Sequence, residues 1–182
     1  MGLWEIIKRT TAIFLLFAVT IFLFGCTVGK IKRNYTESSF CAEIRWERDG
    51  DGEGGQCFSA KVFAGVPAND GCDRELKLEF ISPDEMQGVS VEFDSERTFL
   101  VCADVRVELH NQAILDAARL LADKGSFSGR GVTEVAGREL LLVERVCGNE
   151  ISRIYIDKES GVPFRVVSDE LVVDVVWFEY LS

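Results

Sequence analysis

The segment that decides the fold is the stretch Ile154-Tyr-Ile-Asp-Lys-Glu-Ser-Gly-Val-Pro-Phe-Arg-Val-Val167, near the end of the 182-residue chain. Two runs rich in β-branched and aromatic residues flank a polar turn, and Gly161 can take the positive φ that closes such a turn. Pro163 stands where the second run begins, a position at which a strand tolerates a residue without an N–H. The pattern predicts a β-hairpin, followed by another strand over residues 171–180.

The rest of the chain repeats this pattern as a series of short strands. From Phe40 to Glu47 apolar and polar residues alternate, so this segment is predicted to be a half-buried strand. Further predicted strands cover residues 58–62, 76–80, 89–93, 98–102, 105–109, 131–135, 139–146, 150–157 and 164–168. The strand over residues 171–180 differs because both of its faces are apolar, and we expect it to be covered on both sides. Together these segments predict an antiparallel meander.

One segment has a helical period instead. It lies between Asn111, which fits an N-cap, and Gly125, which fits a C-cap. Its apolar residues recur every three or four positions, which predicts an amphipathic helix packed on the apolar face of the sheet. The stripe consists of Ile114, Leu115, Ala118, Leu121 and Ala122.

The N-terminal segment has the charge pattern of an export signal. Lys8 and Arg9 precede an uncharged stretch, Thr10–Phe24, as in secretory signal peptides. The sequence Leu23-Phe24-Gly25-Cys26 resembles the lipobox of bacterial lipoproteins, in which a peptidase cuts before a Cys that carries a diacylglyceryl group. Phe24 departs from that pattern, because the middle position is usually small.

These features divide the chain into three predicted parts. Residues 1–25 are expected to be a signal peptide with a lipobox, and Cys26 is expected to be the lipidation site. Residues 26–37 would form a tether, and residues 38–182 the folded domain. An uncleaved transmembrane anchor and ordinary secretion are the alternatives, and each most simply places the domain outside the cytoplasm.

Charge and cysteine spacing argue against several classes of function. The formal net charge is -10, so a nucleic acid partner is not expected, because its phosphates would be repelled. The other cysteines form no C-x-x-C pair, which argues against a zinc knuckle or a thioredoxin-like site. We interpret them as small apolar residues on strands, with one or two disulfides possible after export.

Two further features, a glycine-rich stretch and a single histidine, also do not indicate a nucleotide, calcium or catalytic site. The stretch Asp49–Gly55 contains G-x-G-x-x-G, but it lies between two predicted strands rather than between a strand and a helix. It also lacks the twelfth-position Glu of a calcium loop, since Ala60 stands there. His110 is the only histidine, and at the end of a strand it is more simply a surface residue than a catalytic base. We therefore expect no enzymatic activity, no cofactor and no metal site.

The C-terminal hairpin also resembles the closing hairpin of the LolA-like superfamily of lipoprotein carriers and lipid-binding lipoproteins. Asp157, Gly161 and Pro163 occupy the positions of the recurring pattern Asp-x-x-Thr-Gly-x-Pro, with Ser160 where Thr is commoner. The order of signal, strands, inserted helix and hairpin is similar to small exported lipoproteins of Gram-positive bacteria. The resemblance implies an α+β, mainly antiparallel fold: a curved meander sheet, or unclosed barrel, with one or two helices on its concave face.

The resemblance also implies a place for a ligand, because the concave apolar side of that fold can receive acyl chains. We call the residues predicted to form this place the candidate groove residues. From the strands they are Phe40, Ile44, Trp46, Phe58, Leu76, Leu78, Phe80, Val91 and Phe93, and from the helix Ile114, Leu115 and Leu121.

The function expected from the resemblance is that of a lipoprotein anchored on the outer side of the cell membrane. It would bind a lipid, another hydrophobic ligand or an acylated partner in an apolar groove. The alternative is a structural or sensory envelope lipoprotein, whose core is filled by its own side chains and which acts by contact with another envelope protein. The sequence leaves the oligomeric state open.

Overall fold

A computed structural model describes residues 34–48, 55–67, 74–94, 96–110, 113–147 and 150–181, which belong to one compact unit, Ile31–Ser182. These residues form a single sheet of eleven strands and one α-helix, α1 (Asp116–Ala122). The first strands are β1 (Phe40–Arg48), β2 (Gln56–Ala64), β3 (Leu76–Ser82), β4 (Val89–Phe93), β5 (Thr98–Cys102) and β6 (Val105–Leu109). The others are β7 (Ser126–Val135), β8 (Arg138–Cys147), β9 (Glu150–Asp157), β10 (Pro163–Val167) and β11 (Val172–Tyr180). Short 3-10 turns cover Tyr35–Glu37, Asp84–Met86 and Ala113–Leu115.

The strands follow one another as a meander with a single long-range join. The order across the sheet is β6-β5-β4-β3-β2-β1-β11-β10-β9-β8-β7, and every pair is antiparallel. The first and last strands therefore meet in the middle, where Phe40 lies opposite Tyr180. The edges, β6 and β7, do not pair with each other, so the sheet is unclosed. The predicted fold class, with a helix on the apolar face, is confirmed.

The sheet curves around α1. Seven strand steps separate β4 from β8, and at about 4.8 Å each they would span about 34 Å in a flat sheet. The short α1 nevertheless reaches both strands. The Arg119 guanidinium lies 4.7 Å from the centre of the Phe93 ring on β4, and Arg145 on β8 donates to the Asp123 carbonyl just after α1 over 2.8 Å. We call the face that is turned toward α1 the inner face.

The C-terminal hairpin has the predicted turn. Gly161 has a φ of +73°, and β10 begins at Pro163. The Asp157 carboxylate accepts hydrogen bonds from the backbone N–H groups of Glu159 and Ser160, at 3.1 and 2.8 Å. The bonds from the N–H and the hydroxyl of Ser160, with a smaller contribution from the Glu159 N–H, hold the pKa of Asp157 below its usual range. The prediction from local turn chemistry is therefore confirmed in detail.

The predicted helix exists, but its end is different. α1 stops at Ala122, and the C-cap is Asp123, whose backbone is extended rather than left-handed. The predicted C-cap, Gly125, is wrong. Gly125 instead lets the chain pass close to β8. A Cβ at this position would lie 2.6 Å from Arg145 Cγ, which is too close for any side chain larger than hydrogen. Asn111, the predicted N-cap, lies outside the described residues.

The prediction that the last strand is covered on both sides is wrong. A bulge between Glu43 and Ile44 of the β1–β11 ladder leaves Val176 as an extra residue and reverses the alternation after it. Phe178 beyond the bulge packs against the core, whereas Val176 and Trp177 are 54% and 46% exposed. Only one face of the strand is therefore buried. Val173 and Val175 occupy that face before the bulge and Phe178 occupies it after the bulge, whereas Val176 and Trp177 are in contact with solvent.

Several predictions concern residues that the structure does not describe or describes only in part. The predicted signal peptide, Cys26 and most of the glycine-rich stretch Asp49–Gly55 lie outside the described residues. No disulfide joins the four cysteines within the described ranges. The described residues contain no helix with the length and apolar character needed to cross a membrane.

Candidate functional site

The candidate site is a cavity of about 590 Å³ beside α1. Its lining comes mainly from α1, the adjoining ends of β8 and β9, and the connection between β10 and β11, and we call it the α1 cavity. Several of the side chains around it are apolar, from β1, the turn before α1, α1 itself, β9 and the segment before β11: Trp46, Ala113, Ala117, Leu120, Ile151 and Leu171. Its volume lies in the range of small-molecule binding sites.

The candidate groove residues are brought together, but as a filled core. Ten of them are at most 8% exposed and belong to one hydrophobic cluster: Phe40, Ile44, Trp46, Leu76, Leu78, Phe80, Val91, Phe93, Leu115 and Leu121. Phe58 and Ile114 are partly buried and pack against this cluster. Only Trp46 among them also lines the α1 cavity. Whether these residues contact a ligand stays a prediction, and the open space that the structure shows lies to one side of them.

Trp46 connects the core to the cavity. Its ring stacks on Phe58 with 5.5 Å between centroids and lies 6.2 Å from the Phe80 ring. Aromatic contacts of this kind stabilise a fixed ring orientation beyond the burial of their area. The wall that Trp46 contributes to the cavity is therefore held by neighbours on β2 and β3.

A buried arginine that lines the cavity contacts the C-terminal end of α1. Arg145 is 2% exposed, and its guanidinium donates to the carbonyls of Leu120, Leu121 and Asp123 and to Ser152 Oγ. The last carbonyls of a helix have no partner within the helix. Their partial negative charge makes a cation there favourable. Arg145 therefore caps α1 and fixes it against β8.

A second buried arginine shares this role. Arg74 Nη1 donates to the Ala122 carbonyl and Nη2 to the Ser38 carbonyl, both at 2.8 Å. Burial lowers the pKa of Arg74 to about 10, which leaves the guanidinium charged at neutral pH. The two arginines replace the left-handed C-cap expected from the sequence, and they tie α1 to both halves of the sheet.

Asp123, directly after α1, is an acid with a perturbed pKa at the site. Burial raises the pKa of its carboxyl to about 6, although the positive charges of Arg145, Arg119 and Arg74 oppose the shift. The nearby Glu150 charge adds to the shift. A group with this pKa changes its charge between pH 5 and 7, so the polarity of the cavity wall depends on pH.

The charged part of the cavity lining is mostly acidic. Its lining includes the carboxylates Asp116, Asp123, Glu150, Asp169 and Glu170, against the cations Arg119 and Arg145. The donors of Arg145 already serve the end of α1, so they are occupied. The lining combines apolar side chains with more carboxylates than cations, which suits a ligand with an apolar part and a neutral or cationic polar end.

Sequence reasoning did not single out Arg74, Asp123 or Arg145. A signal for the arginines was present: Arg145 has the same strand parity as the inward-facing Leu141 and Val143, and Arg74 has the parity of Leu76. A charged residue at an apolar position of an alternating strand indicates a buried polar contact. No comparable local signal marks Asp123.

The chain is similar in structure to several solved proteins at low sequence identity. An uncharacterised conserved protein from Thermus thermophilus is 13% identical, with 80% of each chain covered and a TM-score of 0.48. A LolA superfamily protein from Nitrosomonas europaea is 9% identical, with 84% of this chain and 90% of that one covered and a TM-score of 0.48. The Mycobacterium tuberculosis lipoprotein LppX is 11% identical, with 80% and 85% covered and a TM-score of 0.36. No family model matches the chain, and no curated protein matches it significantly.

Proposed function

We propose that this protein is a membrane-tethered, extracytoplasmic binding protein without enzymatic activity, which holds a lipid or another hydrophobic ligand. The observation that carries this proposal is the α1 cavity, with its volume of about 590 Å³ and a lining that includes Trp46, Leu120 and Leu171. The tether and the location are supported by the lipobox-like sequence that ends at Cys26.

The binding energy would come from the burial of apolar ligand surface. Each methylene removed from water contributes about 0.8 kcal/mol, so one acyl chain is enough for reversible capture. The acidic lining would select among ligands, because the carboxylates of Asp116 and Glu150 repel an anionic head group and tolerate a neutral or cationic one. An acylated partner protein could present the same chemistry as a free lipid.

The experiment is native mass spectrometry of the full-length protein, expressed with its own N-terminus and extracted gently from membranes. We expect a mass that lacks residues 1–25, carries acyl groups on Cys26 and shows reproducible lipid adducts. A full-length mass would instead show an uncleaved anchor. A variant that fills the cavity, Ala113→Trp, should lose the non-covalent adducts and keep the covalent acyl groups.

A matched control separates cavity filling from a general effect of a new Trp. Val66 is 68% exposed in the loop after β2, away from the cavity lining, and Val66→Trp should keep the adducts. Adducts that persist at the wild-type level in Ala113→Trp would exclude the α1 cavity as the site. A wild-type protein without adducts under all extraction conditions would overturn the proposal of ligand binding.

A second candidate function is favoured because the core is filled by the domain's own side chains. The candidate groove residues Phe40, Ile44 and Leu78 are completely buried by other side chains of the domain. A core filled in this way fits a structural or sensory lipoprotein that contacts another envelope protein through its surface. In that case the extracted protein would carry acyl groups on Cys26 but no separate ligand, so the same measurement distinguishes the two functions.

A further inference from the structure

The two edges of the sheet differ in how they are protected from pairing. β7 contains a bulge between Gly129 and Gly131, and bulges of this kind disturb the regular hydrogen-bonding edge that another strand would need. β6 (Val105–Leu109) has a continuous register with β5 and contains neither Gly nor Pro. Within the described residues β5 is its only strand partner. The β6 edge is therefore available to an added strand.

The side chains of β6 divide into an apolar and a charged face. Val107 lies opposite Leu100, which lies opposite the core residue Val91, so Val107 belongs to the inner face. Val105 and Val107 are 59% and 47% exposed. Exposed apolar side chains on an open edge strand are a known liability for pairing. The intervening Arg106 and Glu108 lie on the outer face.

The hairpin that joins β5 to β6 determines which backbone N–H and C=O groups of β6 point toward the free edge. Its loop has two residues, and the flanking pair is Cys102 and Val105, which in a two-residue hairpin is a hydrogen-bonded pair. Hydrogen-bonded and non-bonded pairs alternate along an antiparallel ladder. The N–H and C=O groups of Arg106 and Glu108 therefore point away from β5, toward the free edge.

We propose that β6 pairs antiparallel with β6 of a second copy of this chain. The two-fold axis passes between the strands, midway between Val107 and Val107 of the second copy, and we call this the register centred on Val107. In this register Arg106 lies opposite Glu108 of the second copy, and the reverse pair completes the symmetry. The outward backbone groups of both residues then form hydrogen-bonded pairs. Val107 lies opposite itself, and Val105 lies opposite Leu109, so the exposed apolar surface is covered on the inner face.

Charge selects this register over its neighbours. A two-fold axis through Arg106 would place Arg106 opposite itself and Glu108 opposite Asp104, and like charges directly opposite each other are destabilising. An axis through Glu108 would place Glu108 opposite itself. A register centred on Val105 would pair Arg106 with Asp104, but Asp104 lies in the loop between β5 and β6 rather than on β6. The register centred on Val107 therefore brings opposite charges together within the strand, and its two-fold symmetry closes the assembly at a dimer.

Arg106 is exposed but has to reorient for this contact. Its guanidinium lies 3.9 Å from the centre of the Phe99 ring and 3.4 Å from a carboxylate oxygen of Glu92 on the outer face. These contacts draw the arginine across β5 toward β4. Pairing with Glu108 of the second copy would exchange the exposed ion pair with Glu92 for one across the new interface. The proposed dimer does not require ligand binding in the α1 cavity, so the two proposals can fail separately.

The experiment is disulfide cross-linking of the full-length protein in its native membranes, read on non-reducing gels. Opposite residues in a non-hydrogen-bonded pair have Cβ atoms about 5 Å apart, and such a pair can form a disulfide after a small adjustment. Val107→Cys should therefore give a cross-linked dimer well above the wild-type level after mild oxidation. Val132→Cys, at a 50% exposed position on the bulged β7 edge, should stay at the wild-type level.

Charge variants on this background test the register. Adding Glu108→Arg places like charges opposite each other and should reduce the Val107→Cys dimer about tenfold. The double change Arg106→Glu with Glu108→Arg restores opposite charges and should restore the dimer. Absence of a Val107→Cys dimer, equal cross-linking from Val132→Cys, or a dimer that does not respond to Glu108→Arg would each overturn the proposal. Because all these positions are exposed, the variants should fold like the wild type, which circular dichroism can verify.

Discussion

The inner face of the sheet is closed at one end and open at the other. Around α1 the side chains of Ile44, Leu115 and Leu121 are fully buried, whereas at β6 the inner-face residues Val105 and Val107 are about half exposed. The reason is that α1 is short compared with the width of the sheet. α1 has 7 residues, about 10 Å, whereas eleven strands at about 4.8 Å spacing form a much wider surface. A short helix can complete a core only over the strands that curve around it.

The largest effect should come from removing the arginine that fixes α1. Arg145→Ala leaves the Leu121 and Asp123 carbonyls without their donor in a buried site, so we expect a loss of about 3 kcal/mol or more in the free energy of unfolding. Urea unfolding of the full-length protein in a mild detergent would measure it.

The matched variant at the open end is Arg106→Ala. The ion pair between Arg106 and Glu92 is exposed, so the free energy of unfolding should fall by less than about 0.5 kcal/mol. Arg145→Lys should be intermediate, because an ammonium cannot reproduce the fork of donors. Similar losses for Arg145→Ala and Arg106→Ala would contradict the contrast between the closed and the open end.

A smaller, pH-dependent effect should come from Asp123. Burial raises the pKa of this carboxyl to about 6, above its value of about 3.9 in the unfolded chain. Between these values the folded protein binds more protons than the unfolded chain, so stability falls as the pH rises from about 4 to about 6. Above pH 6 the charged carboxylate destabilises the closed end.

Asp123→Asn should therefore be more stable than the wild type at pH 7.5, by about 1–2 kcal/mol, and equal to it near pH 4. The measurement is the free energy of unfolding of both proteins across this range. Asp94 offers an exposed control of opposite sign. The backbone N–H of Arg97 donates to its carboxylate and holds its pKa below the usual range, so Asp94→Asn should not raise the stability at pH 7.5. A profile for Asp123→Asn parallel to the wild type would exclude the proposed cause.

The smallest effect concerns Tyr35, which is completely buried at the closed end. Its hydroxyl has no hydrogen-bond partner among the described residues, and burial raises its pKa to about 12. Tyr35→Phe removes an unsatisfied polar atom and keeps the edge contacts with Phe40 and Phe178. We expect a change within about 1 kcal/mol, in the stabilising direction.

The control for Tyr35 is Tyr180, whose hydroxyl donates to the Gly161 carbonyl over 3.3 Å. Tyr180→Phe removes this bond and should destabilise the protein slightly. If thermal unfolding instead shows a clear loss for Tyr35→Phe, the hydroxyl must have a partner in solution.

The strands were predictable because their signal is local. The alternation from Phe40 to Glu47 and the turn at Asp157 and Gly161 depend on neighbours within a few residues, and the structure confirms both. β7 begins at Ser126, five residues before the predicted start at 131, because the segment 126–130 carries a glycine, two serines and little apolar periodicity. Pairing with β8 rather than local preference makes it a strand.

The site was harder to predict because it depends on distant partners. The candidate groove residues were correctly grouped on one face, but their alternation does not say whether α1 fills the space above them. The role of Arg145 depends on carbonyls that lie 22 to 25 residues earlier in the chain. Ligand binding and the lipidation of Cys26 stay predictions.

By itself the sequence determined the hairpin at Asp157–Pro163, the apolar parity of the strands and the presence of one amphipathic helix, since these depend on backbone preferences and side-chain period. Only the tertiary structure decided that the first and last strands pair, that a bulge at Val176 exposes Trp177, and that the open space lies beside α1 rather than beneath it. Such features depend on which distant surfaces meet when the sheet curves. That choice is made by packing over the whole chain and not by any single segment.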